Sequence, residues 1–252
     1  MSLLFENKSD SSKQKGFSLV ELAVVVSIIG IIISAVIGGK KLYDAAKLRR
    51  VSTEIMQYSS AINTFKEEYG YWPGDFPQAS NFWSGAANGN GDGVIRFQFL
   101  VNNEDLYSWD HLENAELIKD QYDGVVKSGT IHYSKGENLP VSAAFENITF
   151  AFYSFRPAGG NVVYDNITGI KMIISSLSAT GAPASTTNSF QGKQAQAIDE
   201  KIDDGMASSG NLISYRTAGG CTDADESTSS RADYQLNNTI EDCVVEWYID
   251  RL

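Results

Sequence analysis

The sequence predicts an α+β fold in which one long N-terminal helix lies against an antiparallel β-sheet. Three observations predict it. Residues 17–37 form an apolar run of 21 residues with a single charge, Glu21, long enough to cross a bilayer as a helix. Leu48, Val51, Ile55, Tyr58, Ile62, Phe65 and Tyr69 then follow at alternating three- and four-residue spacing, which makes one apolar stripe on a helix. From about residue 125 the pattern changes to short runs of β-branched and aromatic residues. Pro73 is the first proline, so residues 17–69 read as one helix, roughly 80 Å long. No domain of this size needs such a rod for its own core. A rod that is half apolar and half amphipathic suits a part that packs beside copies of itself.

The first 16 residues are polar, with Lys8, Lys13 and Lys15 against Glu6 and Asp10. They contain no apolar stretch ahead of a small-residue cleavage site, so they are not an ordinary secretory signal. Lys40, Lys41, Lys47, Arg49 and Arg50 follow the apolar run, so the charge bias leaves its orientation open. The helix is expected to stop at Gly70, with Pro73 just beyond. Tyr71-Trp72-Pro73-Gly74-Asp75-Phe76-Pro77 reads as an aromatic turn packed against it. Ser108 is read as the cap of a short helix through Trp109, Leu112, Ala115, Leu117 and Ile118. Strands are expected at residues 129–134, 148–155, 161–164, 170–175, 212–216 and 244–249, with a second helix at 191–203 and loops at 178–189 and 222–233.

Gly16-Phe17-Ser18-Leu19-Val20-Glu21-Leu22 resembles the prepilin peptidase site of type IV pilins and type II secretion pseudopilins. The resemblance implies cleavage after Gly16 and methylation of Phe17 as the new N-terminus. It gives Glu21 an assembly role, pairing with the amine of Phe17 on a neighbouring subunit. A carboxylate reaching the headgroups from one turn inside the bilayer is the plainer account of Glu21. One departure is visible: many relatives carry a proline near the end of the membrane segment, where this chain has Gly38-Gly39. The organisation implied is a leader at 1–16, a transmembrane half-helix at 17–37, an amphipathic half-helix at 38–69 and a pilin-like globular domain at 70–252.

The implied function is a structural filament subunit, processed by prepilin peptidase and assembled from an inner-membrane platform with copies of itself or other pilin-like subunits. A secretion pseudopilin and a membrane-tethered binding domain that never assembles are the alternatives. The implied location is the inner membrane with the C-terminal domain in the periplasm, then a periplasmic or extracellular filament. In such a compartment Cys221 and Cys243 read as a disulfide, and two buried thiols as the alternative. Closing that loop contributes roughly 3 kcal/mol in the chain-entropy picture. His111 and His132 lack zinc-ligand spacing with the cysteines and are read as structural.

The charge balance, net −11, argues against a nucleic-acid surface. The absence of hydrolase, zincin, P-loop and dinucleotide motifs argues against an enzyme. The sharpest motif after the helix is Asn88-Gly-Asn90-Gly-Asp92-Gly93-Val94-Ile95. Alternating oxygen side chains and a glycine turn resemble the first half of a calcium loop, with Asn88, Asn90, Asp92 and the Val94 carbonyl as ligands. The match then stops, because Phe99 stands where a bidentate glutamate belongs. Glu104 or Asp105, or Asp203 and Asp204 after the second helix, are read as further oxygens for a bound Ca2+. Tight Asn-Gly and Asp-Gly turns needing no ion are the alternative.

Overall fold

The structure, a computed structural model, describes residues 16–95, 103–126, 133–153, 169–178, 188–215, 220–223 and 232–250. The expected strand at 161–164, most of that at 129–134, and Phe99 and His132 lie outside these residues. The element order is α1 (Leu19–Tyr69), α2 (Ala79–Phe82), α3 (Glu104–Asn114), β1 (Thr149–Tyr153), β2 (Lys171–Ser175), α4 (Gly192–Ile202), β3 (Leu212–Tyr215) and β4 (Val244–Tyr248). The chain divides into two compact units, Met1–Ala45 and Ala46–Leu252, with the boundary inside α1.

In the first unit the apolar run is helical and bare. Its valines, leucines and isoleucines are exposed, from Leu19 at 87% to Ile37 at 57%.

In the second unit the expected stripe is the buried face of α1. Val51, Ile55, Ile62 and Phe65 are fully buried, and Leu48, Tyr58 and Tyr69 pack against them. Glu54 shares that buried face, which the apolar pattern did not reveal. Its carboxylate is held by Arg50 Nε at 2.9 Å, Ser142 Oγ at 2.7 Å and the Ala143 amide at 3.0 Å. The helix ends as read: Gly70 takes a φ of 75° and its amide donates to the Lys66 carbonyl at 2.9 Å.

The sheet is antiparallel throughout, in the order β1-β2-β4-β3. Each strand falls within the run read from the sequence, shorter at one or both ends. The register places Phe150 opposite Ile174 and Ile174 opposite Val245, and Phe152, Met172, Trp247 and Leu212 in a second row on the same face. Trp109 of α3 stacks on Phe152 at 4.5 Å, and Tyr58 of α1 meets Phe150 edge-on at 4.9 Å. Aromatic rings from two helices thus close one face of the sheet, where each buried large side chain contributes about 1.5–3 kcal/mol. The opposite face is buried too, and carries the Lys171–Glu246 pair at 2.8 Å.

Two helix readings need correction. Ser108 is not a cap: α3 begins four residues earlier, and Ser108 Oγ donates inside it to the Glu104 carbonyl at 2.7 Å and across to the Pro73 carbonyl at 2.9 Å. Glu104 and Asp105 open the helix instead, favoured there by the helix dipole. The same helix does not reach Leu117 or Ile118. Glu116, at a φ of 58°, turns the chain, and the amides of Glu116 and Leu117 return to the carbonyls of Glu113 and Leu112. This is a Schellman ending without its usual glycine, so no stop signal is legible there. The second helix matches its reading to one residue at each end and starts with a Gln191–Gln194 capping box.

Candidate functional site

The N-terminal motif sits at the point where the helix begins. Gly16, Phe17 and Ser18 precede α1 in non-helical, exposed backbone, and Phe17 is 87% exposed. Ser18 and Glu21 form a capping box: the Glu21 amide donates to Ser18 Oγ at 3.2 Å, and the Ser18 amide donates to Glu21 Oε2 at 2.8 Å. The signature Ser-x-x-Glu stood in the sequence but was read only as part of the cleavage motif. Its effect is to start the helix at Leu19, two residues beyond the Gly16–Phe17 bond, which stays in non-helical backbone. Further along, Ser27 and Ser34 donate to the Ala23 and Gly30 carbonyls at 2.8 and 2.9 Å. Both hydroxyls are thereby satisfied by the helix's own backbone.

The acidic loop has a different centre from the one its alternating pattern suggested. Asp75, from the aromatic turn, is its hub: Oδ1 accepts the Asp92 amide at 3.0 Å and Oδ2 the Gly93 amide at 2.9 Å. Glu104 Oε1 accepts the Asn90 amide at 3.2 Å. Carboxylate oxygens of Asp75, Asp92 and Glu104 lie within 4.8 Å of one another, with Asp75 and Glu104 buried and Asp92 exposed. Burial pushes the Asp75 carboxyl above its ordinary value, and the neighbouring Asp92 charge adds to this.

The other expected ligands have hydrogen bonds of their own. Asn88 Oδ1 accepts the Ser80 amide at 2.8 Å, Asn90 Oδ1 accepts the Asp92 amide at 2.8 Å, and the Val94 amide donates to Asp92 Oδ1 at 3.1 Å. Asp105 bonds Tyr133 through Oδ2 and is absent from the triad. Asp203 and Asp204 group with Asp199 in a second acidic cluster. There Asp199 accepts from Gly205 and Tyr234, Asp203 from Leu212, and Asp204 from Met206 and Ser209.

His111 ties the first region together from α3. Its Nδ1 accepts the Gly74 amide at 2.9 Å and its Nε2 donates to the Ala87 carbonyl at 2.8 Å. Accepting at Nδ1 fixes the neutral tautomer, and burial lowers its pKa to about 4. His111 is therefore a structural brace. Cys221 and Cys243 are joined in a disulfide, with Cα atoms 4.8 Å apart, that ties residues 220–223 to the start of β4.

Residues 11–37 match the prokaryotic N-terminal methylation motif, the signature of type IV pilins and pseudopilins. No curated protein and no solved structure matches the chain. The matched segment contains Gly16, Phe17, the Ser18–Glu21 capping box and the bare half of α1. That half is long and apolar enough to cross a membrane.

Proposed function

We propose that this chain is a structural subunit of a type IV pilus-like filament. In this reading prepilin peptidase cuts after Gly16, residues 17–37 hold the subunit in the inner membrane with its larger unit in the periplasm, and the assembly platform draws it into a filament with pilin-like subunits. The observation that carries the proposal is the matched motif leading into a helix whose apolar half packs against nothing among the described residues. Such a surface stays out of water only in lipid or against other helices.

Intact-mass analysis in a peptidase-positive host tests the processing. The expected mature chain begins at N-methylated Phe17. Recovery of uncut chain alone would refute the reading.

Glu21 requires two substitutions, because it also completes the capping box. Gln can fill the capping position without the charge. Glu21→Gln and Glu21→Ala are both expected to depress filament yield severely while leaving cleavage at Gly16 largely intact. Normal yield from Glu21→Gln would reduce the residue to a cap, and would favour the tethered binding domain.

The acidic triad suits Ca2+ chemically. Three hard oxygen donors converge, two of them on buried carboxylates whose mutual repulsion a cation relieves. In this proposal Asp75, Asp92 and Glu104 hold the ion, and the amide-bonded loop around them supplies order rather than charge. Calcium at a hundredfold excess over its Kd is expected to stabilise the full chain by about 3 kcal/mol in a detergent melt. Chelator should remove the gain and Asp75→Asn should abolish it. Superimposable melts would leave only a turn.

A further inference from the structure

The apolar half of α1 ends on a short polar segment of the same unit. From Leu19 to Ile37 the helix rises about 28 Å, close to the hydrocarbon thickness of a bilayer, about 30 Å. Gly38 and Gly39 follow, and a Cβ added at either would meet no other group within 4 Å. Lys40 and Lys41 come next, both helical and both exposed. They stand about 5 and 6 Å beyond Ile37 along the axis, within a headgroup layer about 5–7 Å deep. Neither forms an ion pair with a described residue, the exposed Asp44 included. Tyr43, 65% exposed, lies just beyond, where a ring with a polar tip suits the membrane interface.

A second observation concerns the other flank of the span. Its cations are Lys8, Lys13 and Lys15, and all three lie ahead of the Gly16–Phe17 bond. Cleavage there removes them. The flank that remains carries the Phe17 amine and Glu21, whose charges oppose each other. Lys40 and Lys41 are then the lysines left at an edge of the span, on the side that ordinarily carries fewer of them. Among the cations that open the larger unit, Lys47 Nζ lies over the Phe145 ring at 4.2 Å and Arg50 Nε pairs with Glu54 at 2.9 Å, so both serve that unit's own packing.

We infer that Lys40 and Lys41 bind the anionic headgroup of a phospholipid, in the leaflet at the C-terminal end of the span, and that this contact is the chain's electrostatic hold on the bilayer once the leader is gone. The inference rests on the membrane and processing reading proposed above. The ligand is a phosphodiester whose headgroup carries no amine. A headgroup with an amine neutralises its own phosphate and leaves a lysine pair little to gain. Lysine suits the task because its flexible stem lies along apolar surface while the ammonium reaches the phosphate layer. The two glycines place no side chain between Ile37 and the lysines, so the phosphate can approach the helix closely. One lysine near an anionic surface contributes about fivefold in binding, and Asp44 opposes by a similar factor, so the pair leaves a net preference of about fivefold.

The test takes the chain from a peptidase-positive membrane and reconstitutes it in nanodiscs of phosphatidylcholine and phosphatidylglycerol in equal parts. Native mass spectrometry then counts the lipids that stay on the chain. Wild type is expected to retain phosphatidylglycerol over phosphatidylcholine by about fivefold, less at high salt. Lys40→Gln with Lys41→Gln should bring the ratio near one, Lys40→Arg with Lys41→Arg should keep it, and Asp44→Asn should raise it. Changing Lys47, Arg49 and Arg50 together to Gln should leave it as it is. Equal retention by wild type overturns the inference, as does a preference that survives loss of both lysines or that only the Lys47, Arg49 and Arg50 variant removes. Displacement of the retained lipid by inorganic phosphate would show a site indifferent to lipid and overturn it too. All of these are read on inserted chain, so they leave the membrane reading intact. Wild type that carbonate strips from the membrane would defeat that reading and this inference with it. Recovery of uncut chain alone would defeat the processing reading and the succession from the leader's lysines to Lys40 and Lys41.

Discussion

Gly74→Ala is expected to destabilise the larger unit by roughly 2–5 kcal/mol, a large share of the stability of an ordinary domain. Gly74 holds a φ of +83°, a region where a Cβ is itself unfavourable. An added Cβ would also fall on the Glu104 carbonyl and Ser108 Oγ, in the first turns of α3. The carbonyl belongs to helix backbone and cannot swing aside. The Gly74 amide is moreover the donor that His111 accepts, so relieving the clash pulls the turn off its brace. Urea unfolding of wild type and variant measures the loss. An unchanged midpoint would mean that α3 and the turn are not packed as described.

His111 should make stability fall on acidification. Its folded pKa is about 4 against an ordinary 6.5, because burial excludes the charged ring. Between those values the unfolded chain binds more protons, so stability is complete above pH 6.5 and is lost as pH falls towards 4, by about 3 kcal/mol in all. Buried carboxyls act in the opposite sense. Burial raises Asp105 to about 7 and Asp110 and Asp199 to about 6, so they favour the folded state at low pH and lose that contribution as pH rises. The histidine is isolated by comparison with His111→Gln, which retains an acceptor and a donor but does not titrate. The variant should gain on wild type as pH falls through this window. A constant difference between the two would show that the ring titrates as it does in the unfolded chain.

What the sequence made legible was what repeats along one element. The buried stripe from Val51 to Phe65 needs only the helix's own geometry, and Gly70 ends it by a local rule. Strands such as β2 and β4 announced themselves by their composition. Features built across the chain were hidden. Nothing around Asp75 says that its oxygens collect amides from residues 92 and 93, and nothing around Glu54 says that its partners lie at 142 and 143. Ser108 misled because serine serves equally as a cap and as a donor back into its own helix. Ser18 was the converse case: its local signal was complete, but the cleavage motif drew the reading past it. At the N-terminal site Gly16, Phe17 and Glu21 were legible because their meaning is a motif of adjacent residues. Two of the acidic triad, Asp92 and Glu104, were in view, and Asp75 was not.

The strand order sets a timetable for folding. β4, the last strand in the chain order described, lies between β2 and β3 rather than at an edge. A nascent chain therefore carries β1 and β2 through the whole of α4 and β3 before the strand that joins the two halves exists. Until then β2 and β3 each present an unpaired rim, Met172 and Leu212 lack their shared counterpart in Trp247, and Ile174 lacks Val245. Cys243, one residue before β4, reaches Cys221 in the same late step, so the covalent lock and the central strand arrive together. Such long-range pairing is slow to form. A chain emerging in N-to-C order would thus remain pliable until β4 had emerged and become rigid only then.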